Sequence, residues 1–117
     1  MRRKPGTLIP IEIAILSAAL ALLNRGEEEF HGYQLAREIK TANSDRFRMA
    51  AGTLYKALNR MEQSGLLSSR WEDPSSPDVE GRPPRRLYRL TADGEAAYKE
   101  STRVATDPSL QAGWQPL

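Results

Sequence analysis

The stretch that most restricts how this chain can fold runs from Ala51 to Leu67, AGTLYKALNRMEQSGLL. Leu54, Leu58 and Met61 stand at i, i+4 and i+7 with Ala57 between them. At the helical period these residues make one apolar stripe that has to face a core. Thr53, Lys56, Asn59, Arg60 and Gln63 fall on the other side without an acid among them, and Glu62 lies beside the stripe. Gly65 stands where a helix ends in the left-handed conformation, and Leu66 and Leu67 anchor the exit. This two-faced helix with a marked stop fixes how the other segments are read, because each must pack against it or flank it.

A solvated amphipathic helix would satisfy the same apolar pattern. The polar face, however, gathers hydroxyl, amide, lysine and arginine groups that donate to phosphates and base edges. The small run Ala50-Ala51-Gly52 lets a backbone approach a phosphate closely, and the free N–H groups of a helix N-terminus favour an anion. The expectation is a recognition helix directed at DNA.

A chain of 117 residues holds one domain, or a domain with an appended helix. Its 39% hydrophobic and 27% charged content excludes wholesale disorder. With no cysteine there is no disulfide framework and no thiolate metal site, which suits a reducing compartment. The single histidine, His31, cannot build a usual zinc site and is read as structural. The net charge of +2 says less than its distribution. Bases gather at Arg2, Arg3 and Lys4, on the central helix and near Arg82 to Arg89, while residues 27 to 49 hold slightly more acid than base. Such clustering is expected of a footprint on a polyanion.

Arg2-Arg3-Lys4 followed by the apolar run from Ile11 to Leu23 has the outline of a secretory signal. Glu12 inside the run and Asn24-Arg25 after it argue against that, and thirteen residues fall short of the ~20 that span a bilayer. The run is read as a buried first helix with Pro10 in its opening turn and Gly26 beyond its end. No membrane partner is expected, and the location is cytoplasmic. Glu27-Glu28-Glu29 is read as a solvated loop. Gly32 opens a short helix with Leu35, Ala36 and Ile39 inward, and Tyr33 in its first turn either packs or reaches a phosphate. Phe47 is expected to plug the core in the link that follows. Two short helices with such a link, the second basic and polar, make a helix-turn-helix.

Beyond Gly65, residues 67 to 72 alternate as a half-buried strand, with Leu67, Ser69 and Trp71 on one side. Residues 73 to 84 are rich in Pro, Ser, Asp and Gly, and Arg86, Tyr88 and Leu90 share one face of a second strand. Two strands around a long tip form a hairpin wing whose Arg82, Arg85 and Arg86 are placed to lie along phosphates or reach a groove. Trp71 is expected in the small core. Thr91 caps a last helix with Asp93 and Glu95 in its opening turn, ending by Asp107-Pro108. Its thin apolar face, Ala96, Ala97, Tyr98 and Val104, suits a subunit contact completed by a second copy.

His31-Gly32-Tyr33-Gln34-Leu35, Gly52-Thr53-Leu54-Tyr55-Lys56-Ala57-Leu58, Met61-Glu62-Gln63-Ser64-Gly65-Leu66, and Gly81-Arg82-Pro83 with Tyr88-Arg89-Leu90-Thr91 stand in one order along the chain. Together they resemble the PadR family of bacterial transcriptional regulators, over about residues 9 to 100. The resemblance implies a homodimeric repressor on an inverted repeat, released by a small aromatic or hydrophobic effector. It also implies DNA-facing roles for the Gly32-Tyr33 pair and for Gly52 to Tyr55, with Gly81 to Pro83 as the wing. Lys56 stands where many members have proline, and the C-terminal part is shorter than the family's usual dimer helix.

The expected fold is mainly α with a small β-hairpin, a winged helix-turn-helix plus a C-terminal dimerisation helix. Its parts are a basic arm over 1–8, the DNA-binding domain over 9–90, the dimerisation helix over 91–106 and a frayed tail over 107–117. The expected DNA-binding residues are Tyr33, Gly52, Thr53, Tyr55, Lys56, Asn59, Arg60, Arg82, Arg85 and Arg86, with double-stranded DNA and a second copy of the chain as partners. No cofactor or metal is expected. No nucleophile with a base, no metal spacing and no glycine-rich phosphate loop points to an enzyme. The competing reading is a winged-helix module that binds protein through its first and last helices.

Overall fold

The computed structural model describes residues 8–43, 51–76 and 81–106. The expectations placed on the basic arm, on Phe47 and on the C-terminal tail lie outside them.

Four helices and three strands follow in the order α1 (Pro10–Asn24), β1 (Phe30–His31), α2 (Gly32–Asn43), α3 (Ala51–Gln63), β2 (Leu67–Trp71), β3 (Arg86–Leu90) and α4 (Ala92–Thr106). Pro10 occupies the first turn of α1, where its missing N–H costs nothing. Gly26 and Gly65 follow α1 and α3 at φ +90° and +82°, so both helices end where the sequence marks the stop. Ile15, Leu16, Ala18, Ala19 and Leu22 of α1 are buried, and α1 touches α2, α3, α4 and β3. A helix apolar on most of its circumference needs partners on most sides, and α1 is accordingly the hub of the core.

The stripe on α3 lies as its spacing predicts: Leu54, Ala57, Leu58 and Met61 are all buried. They join Phe30, Leu35, Ile39, Leu67 and Tyr88 in one core cluster. Truncating a fully buried leucine such as Leu58 to alanine costs about 2–5 kcal/mol.

The sheet has three strands rather than the two of a hairpin. Its order is β1-β3-β2, antiparallel throughout, with Phe30 opposite Tyr88 and Leu67 opposite Leu90. The segment read as the entry to α2 first makes this two-residue strand, too short for any alternation to show in sequence. Its effect is to place β3 at the centre and to stack Phe30 on Tyr88, ring centroids 6.5 Å apart.

Two further expectations are corrected. Glu27-Glu28-Glu29 is not merely solvated. Glu29 grips Arg70 of β2 through two hydrogen bonds of 2.7 Å, Glu27 accepts from the Gln34 side-chain amide, and Glu28 lies 3.9 Å from Arg89. Trp71 is not a core residue but 61% exposed. Alternation places it on the side of Leu67, yet it sits at the end of β2, past the last core side chain on that face.

Thr91 caps α4 by accepting from the Gly94 N–H at 2.9 Å, while its hydroxyl donates to the Gly65 carbonyl at 2.7 Å. Gly94 is required by this junction: a Cβ there would drive into the Leu66 carbonyl and sit 2.8 Å from Leu90 Cδ1. The stop of α3 and the start of α4 are thus one joint.

Candidate nucleic-acid interface

At 100° per residue, Gly52, Lys56, Asn59 and Gln63 fall at i, i+4, i+7 and i+11 on the side of α3 opposite its buried stripe, and all four are exposed. Thr53, also exposed, stands beside them. Lys56 has no carboxylate within ion-pair distance among the described residues. Its ammonium and the two side-chain amides form a row of donors at the surface, the chemistry that reads phosphates and base edges.

The flanks of α3 are used differently. Arg60, expected on the DNA side, turns toward α1, where its Nε donates to Glu12 Oε2 at 2.9 Å. Glu12 is 2% exposed and also accepts the Ile9 N–H at 3.1 Å, so one carboxylate closes the start of α1 and fastens α3 to it. Tyr55 lies on the other flank with its ring over Gly32: a Cβ at that glycine would come within 2.7 Å of Tyr55 Cζ. Gly32 therefore seats the aromatic ring and is buried, rather than facing outward with Tyr33. Gly52 is the opposite case, since a Cβ there meets nothing within 4 Å among the described residues.

Tyr33 is 67% exposed at the start of α2, stacked on His31 and with the Arg37 guanidinium 6.0 Å from its ring centroid. His31 Nδ1 accepts the Gln34 N–H at 3.2 Å, so the ring caps α2 in its neutral form. Burial, assisted by the charge of Arg85, holds the His31 pKa below its ordinary value.

The wing arginines are placed by acids. Arg82 donates to both oxygens of Glu72 at 2.7 and 3.0 Å, and the Arg85 backbone N–H donates to the same carboxylate at 2.8 Å. The hydrogen bonds from Arg82 and then from Arg85 pull the Glu72 pKa down to about 2. Arg86 reaches Glu62 of α3 at 3.1 Å and Ser69 Oγ at 3.0 Å, with its guanidinium over Trp71 and Tyr88. Only the Arg85 side chain, among these three, has no carboxylate partner among the described residues. It opens onto a groove of about 340 Å³ lined by His31, Gly32, Tyr33, Tyr55, Trp71 and the two arginines Arg85 and Arg86.

The structure thus brings Gly52, Thr53, Lys56 and Asn59 to one exposed face and gathers Tyr33, Tyr55, Arg85 and Arg86 around the adjoining groove. It directs Arg60 and Arg82 to internal carboxylates. Sequence reading missed His31 and Trp71 as groove residues. The position of His31 directly before the helix-opening Gly32 was the available signal for the first, and the strand-end position of Trp71 for the second. Among the described residues no group of acids and histidine could hold a metal ion, and no helix is long and apolar enough to cross a membrane.

Residues 19–100 match the model of the transcriptional regulator PadR-like family. A transcriptional regulator of Mycobacterium tuberculosis is 38% identical over 83 residues, 71% of this chain and 69% of that protein. Among solved structures, a PadR family transcription regulator from Clostridium difficile aligns with a TM-score of 0.61 at 23% identity, over 89% of this chain and 96% of that one. A PadR-like transcription factor from Bacteroides fragilis aligns with a TM-score of 0.58 at 25% identity, over 86% and 89%. The matched family and these relatives are regulators of transcription rather than enzymes. With the matched segment taking in the whole helix-turn-helix, the sheet and most of α4, the chain belongs to the PadR-like family of transcriptional regulators.

Proposed function

We propose that the protein regulates transcription as a homodimer that binds an inverted-repeat operator, with α3 of each copy in the major groove and the two copies about 34 Å apart on one face of the duplex. The observation that carries this reading is the exposed row Gly52, Lys56, Asn59 and Gln63 opposite a fully buried stripe on the same helix. Gly52 adds to it. A glycine in the first turn of a helix is less stable than alanine by up to about 0.5–1 kcal/mol, and no described part of the chain needs the missing Cβ. Close approach of a phosphate from outside gives the glycine a reason.

Repression, and release by a small aromatic or hydrophobic effector, complete the reading on the strength of the family likeness. The dimer contact is assigned to α4 with part of α1. Ala92 and Ala96 of α4 are exposed, and Ile11, Ala14 and Leu23 of α1 are only half-buried.

The test is retention of genomic fragments from the source organism in a gel-shift series at rising salt, with solution mass measured alongside. Retained fragments should share an inverted repeat, and Lys56→Ala and Asn59→Ala should release them while leaving the protein folded. A protein that retains no fragment at low salt, or variants that bind as wild type, would overturn the reading in favour of a protein-binding module.

A further inference from the structure

Tyr33, Tyr55 and Trp71 are the large hydrophobic side chains that stand exposed among the described residues, and all three line the same groove of about 340 Å³. They come from three separate elements, α2, α3 and β2. A surface that gathers its exposed aromatics in one concavity is shaped for a ligand rather than for water. The walls are held in place. Gly32 leaves room for the Tyr55 ring over its backbone, and His31 stacks on Tyr33 with ring centroids 6.3 Å apart. The Arg86 guanidinium, fixed by Glu62 and Ser69, lies 5.6 Å from the Trp71 ring centroid.

The polar groups of the groove narrow the class of ligand. His31 accepts the Gln34 N–H on Nδ1, so its neutral ring carries the proton on Nε2 and can donate from there. The two tyrosine hydroxyls can donate or accept. Arg85 adds a guanidinium with no carboxylate partner among the described residues, whereas the charge of Arg86 is met by Glu62. No carboxylate from the described residues lines the groove. Such a site takes a flat aromatic ring that stacks, carries hydrogen-bonding atoms at its edge and bears one anionic group. A nucleobase joined to a phosphate has all three properties. A single-ring aromatic acid has the stacking and the charge but leaves His31 and the hydroxyls without partners at the ring edge.

We propose that the groove between α2, α3 and the wing is a site for a free nucleoside monophosphate, its base stacked among Tyr33, Tyr55 and Trp71 and its phosphate on Arg85, and that the occupied site excludes DNA. The exclusion rests on the DNA-binding reading above, and the site itself does not. Tyr55 directly precedes Lys56. A phosphate held in the groove therefore sets a fixed negative charge at the edge of the exposed row of α3 and repels the duplex backbone that the row must approach. DNA is then released at the reading surface itself, with no signal passed through the dimer contact.

Equilibrium dialysis of the full chain against radiolabelled adenosine monophosphate tests the site directly. Saturable binding is expected with a Kd of about 1 mM or tighter. Arg85→Ala should weaken it roughly tenfold by removing a charge-assisted hydrogen bond, and Arg85→Lys should recover most of the loss. Tyr33→Ala and Trp71→Ala should each weaken it roughly tenfold by removing stacking surface. All of these side chains are exposed, so circular dichroism should show the variants folded. Unlabelled adenosine and benzoate should displace the label at least about tenfold less well than the unlabelled nucleotide. Equal displacement by benzoate assigns the groove to a single-ring acid, and displacement by a single-stranded hexanucleotide that is more than about tenfold better assigns it to a nucleic-acid strand. Either result overturns the proposal, as does the absence of saturable binding or wild-type affinity in folded Arg85→Ala and Trp71→Ala. In a gel shift, saturating adenosine monophosphate should release a retained duplex from the wild type, and the same concentration should release less from Trp71→Ala. A duplex that stays on the nucleotide-saturated wild type overturns the exclusion. A wild type that binds the nucleotide but retains no duplex at low salt overturns the DNA reading and the exclusion with it, and leaves the nucleotide site standing.

Discussion

In the wing, Arg82 and Arg86 are held by Glu72 and Glu62, whereas on α2 and α3 the cations Arg37, Lys40 and Lys56 have no carboxylate within reach among the described residues. The two regions use the same kind of side chain for different work. In the wing each ion pair spans separate segments, so it sets where the strands lie: Glu72 at the end of β2 fastens Arg82 and the Arg85 backbone, and Glu62 on α3 fastens Arg86 on β3. On the helices the positions are set by the buried stripes, and the outward cations are left for solvent or a ligand. A basic residue count therefore measures a DNA footprint only after internal partners are subtracted.

The largest effect expected of removing a cation separates these two uses within α3 itself. Arg60→Ala removes the guanidinium beside the buried Glu12 carboxylate, and it should lower folding stability by about 3 kcal/mol in a denaturant titration. Unchanged stability would return Arg60 to the DNA-facing group. Lys56→Ala should do the reverse, weakening operator binding about tenfold or more by fluorescence anisotropy, a cost of about 1–3 kcal/mol. The midpoint of denaturation should move by no more than about 0.5 kcal/mol, as for other exposed positions.

Gly52→Ala sharpens the contrast from another side. It should stabilise the free protein by about 0.5 kcal/mol, because a Cβ there meets nothing described, and it should weaken DNA binding at the same time. A variant that is both more stable and an equal binder would remove the argument from close approach. The smallest expected effect concerns the wing alone. Glu72 has its pKa lowered from 4.5 to about 2, so the ionised form is favoured by folding. Its contribution is fully present above about pH 4.5 and is lost as pH falls toward 2. Glu72→Gln should flatten that part of the acid limb of the stability curve, and an unaltered limb would show that the wing contact contributes nothing to folding.

Much of this was legible in the chain. The buried stripe and the stops at Gly26 and Gly65 follow from the helical period and from positive φ, both local properties. The Thr91 cap is local in the same way. What was not legible depends on partners far apart in sequence. Arg60 finds Glu12 48 residues away, on a helix whose single acid looked only like an interruption of an apolar run. Arg70 finds Glu29 41 residues away, which turns a solvated acidic run into a clamp. The strand β1 is two residues long, and no period can be read from two residues. Trp71 was misplaced because alternation tells the side of a sheet but not where the core beneath that side ends.

The central claim is that α3 presents the row Lys56, Asn59 and Gln63 to the major groove. Because the chain has no cysteine, a single introduced thiol can carry a photocrosslinker at one chosen position. Asn59→Cys labelled in this way should crosslink to bases of a bound operator fragment, whereas the same label at exposed Arg103→Cys on α4 should give no base adducts. Base adducts from Arg103→Cys with none from Asn59→Cys, in a complex of full occupancy, would contradict the claim.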